Sequence, residues 1–177
     1  AGSAVSAAAA NAVVTPLREG SVVLTARTFR TTTGTSGTAI PIVTASSGLR
    51  LGQSQRFSSI SDSTAATVAA SKPGTFRTSL GLVETSGAAV TVRASVVLSE
   101  ARALASSVIT RDFPLQPNQQ LYFENLVRGI AGDSRETVLG ELHNLQLLIE
   151  VVSGQGAVVP YLIATDNGTG DSLLRID

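Results

Sequence analysis

The densest group of oxygen-bearing side chains in this sequence is the stretch DNGTGD at 166–171. Carboxylate and amide oxygens are the ligands that Ca²⁺ prefers, so Asp166, Asn167 and Asp171 are candidate calcium ligands. The spacing is not that of an EF-hand loop, and the bidentate glutamate that closes such a loop is missing. Asn-Gly is also the commonest dipeptide of a tight turn between strands. The sequence therefore favours a turn, with calcium binding as the alternative.

The same stretch contains an acceptor sequence for N-glycosylation. Asn167 is followed by a glycine and then by Thr169, which satisfies the Asn-x-Ser/Thr pattern. Such three-residue motifs arise often by chance. Asn167 is therefore a glycosylation candidate, and the sequence alone does not show that it is occupied.

A nucleophilic site would have to use His143, which is the only histidine of the chain. A Ser–His–Asp triad needs such a residue, but the Gly-x-Ser-x-Gly elbow of many hydrolases is absent from the sequence. One histidine without any cysteine also makes a transition-metal site improbable. The simpler interpretation is a histidine at the start of a buried strand. We predict that His143 takes no part in chemistry.

Paired carboxylates of a glycoside hydrolase are the next candidates, and Glu136, Glu141 and Glu150 supply acidic residues. Enzymes of that class usually offer aromatic platforms to the sugar rings, yet tryptophan is absent and Tyr122 and Tyr161 are the only tyrosines. These glutamates fit a solvated face better. The sequence predicts no enzyme and no cofactor, with an unrecognised hydrolase built on His143 as the least favoured hypothesis.

Composition narrows the class of protein and of partner. The 177 residues fit one domain, 43% of them are hydrophobic, and only 15% are charged. The formal net charge is zero, which argues against a nucleic-acid partner, because phosphate binding needs a concentrated basic surface. No apolar run approaches the roughly 20 residues of a membrane span. A weakly charged, neutral surface does little to resist self-association.

Alternation of apolar and polar residues predicts strands along most of the chain. Residues 90–98 place valine, alanine and leucine on one face and mostly polar side chains on the other. Residues 142–152 are strongly apolar, and the glycine-containing stretch 153–156 predicts a hairpin onto a strand at 158–165. A short helix is predicted at 119–128. The pattern predicts an all-β protein, an antiparallel β-sandwich with at most one short helix.

Two further expectations concern the core and its connections. One face of the strand at 142–152 should be buried, together with apolar residues of the strand that follows. The residues expected on that face are Leu145, Leu147, Ile149 and Val151, continued by Val158, Leu162 and Ala164. Residues 44–74 are rich in serine, glycine, alanine and threonine, so they are predicted to form a long connection.

The two ends of the chain echo each other. Residues 20–43 and 156–176 both begin with Gly-small-Val-Val, pass through a glycine- and threonine-rich loop and end on apolar residues. This indicates one strand–turn–strand unit used twice. Residues 1–19 form an Ala-rich N-terminal extension, and residues 20–177 are predicted to be a single β-sandwich domain.

Two stretches resemble a known family. Residues 76–92 (FRTSLGLVETSGAAVTV) and 161–171 (YLIATDNGTGD) are similar to the opening and closing signatures of an immunoglobulin-like β-sandwich module that is repeated in large secreted bacterial proteins. The chain departs from those signatures at Ser79 and Gly168. The resemblance implies an extracellular, immunoglobulin-like β-sandwich, and it supplies no catalytic residues.

Together these observations lead to a functional hypothesis. We expect a secreted, non-catalytic structural subunit of an extracellular or cell-surface assembly, in the form of a homo-oligomer or filament. The N-terminal segment is expected to join subunits by adding a strand to a neighbour, with Val5, Val13 and Val14 as its apolar contacts. The alternative is an adhesive or carbohydrate-binding accessory module.

Overall fold

The computed structural model describes residues 26–30, 36–40, 47–63, 75–98, 108–132 and 141–176. These residues form strands and one short helix, whose bounds in chain order are as follows. The elements are β1 Ala26–Arg30, β2 Ser36–Ile40, β3 Ser54–Ser63, β4 Phe76–Glu84, β5 Val90–Val97, β6 Val108–Leu115, β7 Gln120–Phe123, α1 Leu126–Ala131, β8 Glu141–Gly154, β9 Val158–Asp166 and β10 Ser172–Arg175.

Two four-stranded antiparallel sheets form the body of the molecule. The front sheet has the order β10-β9-β4-β7, and the back sheet has the order β3-β8-β5-β6. Strands β1 and β2 form a separate hairpin, and β2 lies beside β10. The prediction of an all-β antiparallel sandwich with one short helix is confirmed for the described residues.

The core lies between the two sheets and consists of aliphatic side chains. Strand β5 alternates as predicted: Val90, Val92, Ala94 and Val96 face inward, and Thr91, Arg93, Ser95 and Val97 face outward. Burying each large aliphatic side chain stabilises the fold by roughly 1.5–3 kcal/mol. The predicted face of β8 is buried as well. The buried residues of these strands are Val90, Val92, Ala94, Val96, Leu145, Leu147, Ile149 and Val151.

The predicted hairpin at 153–156 is wrong. Strand β8 pairs with β3 and β5, whereas β9 pairs with β4 and β10, so this stretch crosses from the back sheet to the front sheet. The crossing is tight: Gly154 has φ +96°, and a Cβ there would lie 2.4 Å from the carbonyl oxygen of Ala89. Leu147 and Leu162 therefore belong to different sheets.

The predicted long connection at 44–74 also needs correction, because it contains β3. The ladder between β3 and β8 shifts register twice, between Phe57 and Ile60 and between Ile60 and Asp62. Ser59 has φ +55°, which marks the first irregularity. These bulges change the spacing of the buried residues, so the period of two that reveals a strand in a sequence is lost.

The predicted helix at 119–128 is a strand followed by a helix. Gln120–Phe123 is β7, and α1 begins only after Asn125. The side-chain oxygen of Asn125 accepts a hydrogen bond from the backbone N–H of Arg128 at 2.8 Å, as an N-cap residue does.

The echoing segments both contain an antiparallel hairpin, β1–β2 and β9–β10. Ser36 pairs with Arg30 in the first hairpin, whereas Ser172 pairs with Thr165 in the second. When the two segments are aligned at their shared Gly-small-Val-Val start, Ser172 corresponds to Ser36 and Asp166 corresponds to Arg30. With the same register, Ser172 would therefore pair with Asp166. The two registers therefore differ by one residue. The predicted boundary between 1–19 and 20–177 lies outside the described residues and stays a prediction.

Candidate functional site

The outer face of the front sheet is centred on a glycine between two tyrosines. Gly81 in β4 pairs with Tyr122 of β7 on one side and with Tyr161 of β9 on the other. Residues that are directly opposite each other on neighbouring strands share a face of the sheet, so the three positions form one row. This row brings together the only two tyrosines of the chain.

The ring of Tyr161 lies over Gly81. A Cβ at position 81 would be 2.0 Å from this ring, so the ring occupies the space that a larger residue would fill. The Tyr161 hydroxyl accepts a hydrogen bond of 2.6 Å from Nε2 of Gln120, on the far side of β4. Burial raises the pKa of Tyr161, although the hydrogen bond from Gln120 opposes this effect. The tyrosine is therefore neutral near pH 7 and presents an aromatic surface.

Few charges surround this row. Its neighbours on the same face include Val83, Val159 and Ile163, and the described part of the face carries an ion pair only at one end, where Arg77 and Glu124 approach to 3.3 Å. Tyr122 is 40% exposed. Oε1 of Gln120 is buried and has no hydrogen-bond partner among the described groups. We call this surface, the outer face of β9, β4 and β7, the tyrosine face.

The outer face of the back sheet has the opposite character. Arg93 donates two hydrogen bonds to the Asp112 carboxylate, at 2.8 and 2.9 Å. Beside this pair, the hydroxyls of Ser95 and Thr110 lie 2.9 Å apart. Such ladders are typical of a sheet surface in contact with water. The difference between the two outer faces singles out the tyrosine face as the candidate functional surface.

Glu84 is a buried carboxylate, only 1% exposed, at the end of β4. Its oxygens accept hydrogen bonds from the backbone N–H groups of Ser86, Gly87 and Asn118 at 2.7–2.9 Å, from the Ser86 hydroxyl at 2.6 Å, and from Ala157 N–H at 3.3 Å. Burial alone would raise the pKa of Glu84, but the hydrogen bonds outweigh it and lower that pKa to about 2. Glu84 thus joins three turns and stays ionised.

Asp62 is the second buried carboxylate, also 1% exposed. It accepts hydrogen bonds from the backbone N–H groups of Thr78 at 2.9 Å and Val127 at 3.1 Å, and from Nδ2 of Asn125 at 3.3 Å. Burial raises the pKa of Asp62 to about 6, although these backbone bonds and the charge of Arg77 act in the other direction. Asp62 therefore holds the beginning of α1 against β3 and β4.

The calcium candidates lie in the turn between β9 and β10. Oδ1 of Asp166 accepts hydrogen bonds from the backbone N–H groups of Gly168 at 2.7 Å and Thr169 at 2.9 Å. The Asp171 carbonyl accepts a hydrogen bond from the N–H of Asp166 at 2.9 Å. Asn167 donates through its own N–H to the Thr75 carbonyl. Within the described ranges no group of three or more His, Cys, Asp or Glu residues is placed to hold a metal ion. The stretch forms the turn that the sequence favoured, and calcium binding stays an untested alternative.

The glycosylation candidate Asn167 is partly buried in the same turn. Its Nδ2, the atom that a glycan would modify, donates a hydrogen bond of 3.3 Å to the Thr75 hydroxyl. A sugar on Nδ2 would leave that nitrogen one N–H, so the sugar would have to fit beside this contact. Occupancy of Asn167 stays a prediction.

The candidate catalytic residues are placed apart from the tyrosine face. His143 is exposed rather than buried, and its Nδ1 lies 3.5 Å from the Ser61 hydroxyl oxygen. Glu150 pairs across β8 and β5 with Arg93, on the outer face of the back sheet. Glu136, the Glu141 side chain and the assembly residues lie outside what the structure describes. Those assembly residues are Val5, Val13 and Val14.

The sequence did not point to the tyrosine face. Tyr122 and Tyr161 stand in separate strands, and Gly81 reads as an ordinary small residue in β4. Only the pairing of β4 with both neighbours brings the three into one row. A glycine in the middle of an apolar strand is the one local signal, because such glycines often mark close approach by another group.

Comparisons with known proteins are sparse. No family model matches the chain, and no curated protein matches it. Among solved structures the chain is similar to "Crystal Structure of Thermotoga maritima 1070", with a TM-score of 0.45 and 14% identity over 73% of this chain and 90% of that chain. A similarity this weak says nothing about function. No helix among the described residues is both long and apolar enough to cross a membrane.

Proposed function

We propose that this protein is a non-catalytic structural subunit of an extracellular or cell-surface assembly, and that copies of it associate with one another. The observation that carries the proposal is the tyrosine face, an outer sheet surface whose charges are confined to one ion pair at its end and which contains the exposed ring of Tyr122. In an antiparallel sandwich the outer face is ordinarily polar, as the back sheet is here. An apolar outer face marks a surface that contacts another molecule.

The buried polar groups also support a structural role. A catalytic carboxylate needs an oxygen that can reach a substrate. Both oxygens of Glu84 and both oxygens of Asp62 instead accept hydrogen bonds from the protein itself. These two carboxylates hold turns and a helix in place, which supports a structural role.

The charge distribution supports self-association. The ion pair of Arg77 and Glu124 already compensates the charges at the end of the tyrosine face. A second copy can therefore approach without burying an unpaired charge, which would be costly. The formal net charge of zero removes long-range repulsion between copies.

The test is the oligomeric state of the full chain over a range of concentrations, measured by size-exclusion chromatography with light scattering and by negative-stain microscopy. Tyr122→Lys should weaken association by at least about tenfold, because a buried interface tyrosine commonly contributes more than 1 kcal/mol. Gln146→Lys, on the exposed outer face of the back sheet, is the matched control and should leave association unchanged. A chain that stays monomeric at every concentration would overturn the proposal.

The alternative is an adhesive or carbohydrate-binding module, and one observation favours it. The exposed ring of Tyr122 lies on the same face as the Gln120 amide, whose Oε1 has no partner among the described groups. Aromatic rings beside amides suit sugars, whose rings stack on the aromatic side chain and whose hydroxyls donate hydrogen bonds to an amide oxygen. Binding of the chain to a glycan array, lost in Tyr122→Ala and kept in Gln146→Lys, would establish this alternative.

The extracellular location is part of the proposal and is supported by the resemblance of residues 76–92 and 161–171 to modules of secreted proteins. Fractionation of producing cells tests it. The protein should be recovered from the medium or the cell surface. Recovery from the cytoplasm alone would contradict it.

A further inference from the structure

The edges of the two sheets differ in their ability to accept another strand. The front sheet ends in β10 and β7, which have four residues each. The back sheet ends in β3, which shifts register twice, and in β6, which pairs with β5 over its whole length without a shift. Short and bulged edges resist pairing with another chain. Among the described strands, β6 is therefore the long and regular edge.

The backbone groups of β6 that face away from β5 can be identified. Pro114 has no N–H, so its nitrogen is tolerated in this edge strand only where it faces away from β5. The direction alternates along a strand, so the N–H and C=O groups of Thr110 and Asp112 face the same way. Their close side-chain contacts with Ser95 and Arg93 agree, because such contacts are typical of the pairs that exchange no backbone hydrogen bonds. Thr110 and Asp112 are exposed.

Side chains of β6 already contact α1 and β7 along the inner side of the β6 edge. Nη1 of Arg111 donates a hydrogen bond of 3.1 Å to the carbonyl oxygen of Gly129 in α1, and its guanidinium lies 5.3 Å from the centre of the Phe113 ring. Phe113 in turn packs on Phe123 of β7, with ring centres 4.9 Å apart. A strand added beside β6 would therefore have its inner side against α1 and these rings.

We propose that the edge of β6 accepts an extended segment from a second copy of this chain, residues 1–15, as an additional antiparallel or parallel strand. The inference rests on the proposed function, since it names the partner for association. The segment fits in composition: it has no charged residue and no proline, and it carries Val5, Val13 and Val14. The edge fits in charge, because Asp112 is already paired with Arg93.

The position of the segment points to a second copy, and the reach of the link makes the same copy the competing occupant that the exchange measurement tests. Residues 16–25 separate the segment from β1, and ten extended residues span about 33 Å. The hairpin β1–β2 lies beside β10, which is on the same side of the sandwich as β3, since Arg175 of β10 donates to the Ser58 carbonyl of β3. Strand β6 lies at the opposite side, next to β7. A link from the β10 side of one copy to the β6 side of the next is heterologous, and repeating it builds a filament.

The test replaces one outward N–H. Thr110→Pro removes the N–H that faces away from β5 and leaves the pairing with β5 intact, whereas Thr110→Val removes the same hydroxyl and keeps the N–H. In the full chain, Thr110→Pro should raise the dissociation constant of the assembly by at least about tenfold relative to Thr110→Val. Both variants should melt within about 3 °C of each other.

A second measurement keeps the proposal testable if Thr110→Pro does not fold. Amide hydrogen exchange at Thr110 and Asp112 should be at least about tenfold slower in the assembled full chain than in the diluted one. The double variant Val13→Asp with Val14→Asp should abolish that protection, because it places charge in the added strand.

The outcomes separate this inference from the proposed function. Assembly that Thr110→Pro leaves unchanged, together with unprotected Thr110 and Asp112 amides, overturns the β6 inference alone and leaves association through the tyrosine face. Protection in a monomer that the Val13→Asp, Val14→Asp variant removes shows docking within one chain and overturns the second copy as occupant. A chain that never assembles and shows no protection overturns both proposals.

Discussion

Glu84 and Asp62 are two buried carboxylates whose pKa values shift in opposite directions. Each is a carboxylate that is 1% exposed, yet the pKa of Glu84 is lowered to about 2 and that of Asp62 is raised to about 6. Burial raises the pKa of both groups. The difference comes from the donors: Glu84 has a hydroxyl and four backbone N–H groups from three turns, whereas Asp62 has fewer and longer hydrogen bonds.

The comparison teaches that burial alone does not determine what a carboxylate does for stability. Glu84 favours the folded state when it is ionised, because its hydrogen bonds outweigh the cost of burying the charge. Asp62 costs free energy when it is ionised, although it positions α1. The two groups therefore act on stability in opposite directions as the pH changes.

The largest expected effect is that of Glu84→Ala. Removing the carboxylate leaves the N–H groups of Ser86, Gly87 and Asn118 without their charged acceptor, and each hydrogen bond to a charged group contributes about 1.5–3 kcal/mol. Urea unfolding should show a loss of roughly 3–5 kcal/mol. Ser86→Ala removes one donor and keeps the carboxylate, so it should lose about 1 kcal/mol. If Ser86→Ala costs as much as Glu84→Ala, the carboxylate does not hold the turns together.

Leu147→Ala measures the stability that an uncharged core residue contributes, for comparison with the two carboxylates. Leu147 is fully buried in β8, and its truncation should cost roughly 2–5 kcal/mol by urea unfolding. Since no titratable group is changed, the loss should be the same at pH 4 and pH 7. A loss that varies with pH would mean that the core and the carboxylates are coupled and cannot be compared separately.

The acid limb of the stability curve tests Glu84. Its folded pKa is depressed to about 2 from an ordinary 4.5, so its contribution is present above about pH 4.5 and is lost as the pH falls toward 2. The loss should be about 2 kcal/mol in the free energy of unfolding, measured by urea midpoints in steps of pH. Glu84→Gln, which does not titrate, should lack this part of the acid limb. If Glu84→Gln loses as much stability at acid pH as the parent, the loss comes from groups other than Glu84.

Asp62 should produce a change of the opposite sign at higher pH. Its folded pKa of about 6 exceeds the ordinary 3.8, so the folded state binds the proton more tightly than the unfolded state. The free energy of unfolding should therefore rise by about 2 kcal/mol as the pH falls from 7 to 4. In Asp62→Asn the free energy of unfolding should lack this rise between pH 7 and pH 4. A free energy of unfolding that changes equally in the parent and in Asp62→Asn between pH 7 and pH 4 would show that the pKa of Asp62 is not raised.

The smallest effect is expected at His143, which neighbours the Asp62 region through Ser61. Its side chain is exposed, so His143→Gln should change the free energy of unfolding by less than about 0.5 kcal/mol and leave assembly unchanged. A screen of hydrolase substrates provides the functional check. An activity that is present in the parent and absent from His143→Gln would show an enzyme and refute the structural proposal.

Alternation in the sequence was enough to establish the fold class and much of the core. Residues 90–98 alternate cleanly, and the inward set of β5 was the predicted one. The face of β8 with Leu145 and Leu147 was also predicted, because a period of two is a local property of a strand. The hairpin at 153–156 was predicted wrongly, since a glycine-containing turn does not show whether the next strand returns to the same sheet.

Tertiary structure decided the strand order, β3 and both carboxylate sites. Strand β3 escaped prediction because its bulges break the local period. The partners of Glu84 come from residues 118 and 157 as well as from its own turn, and those of Asp62 come from β4 and α1. Likewise, Tyr122 and Tyr161 lie on either side of Gly81 only because β4 lies between β7 and β9. Periodicity is local, whereas these contacts join positions that only the packing of two sheets brings together.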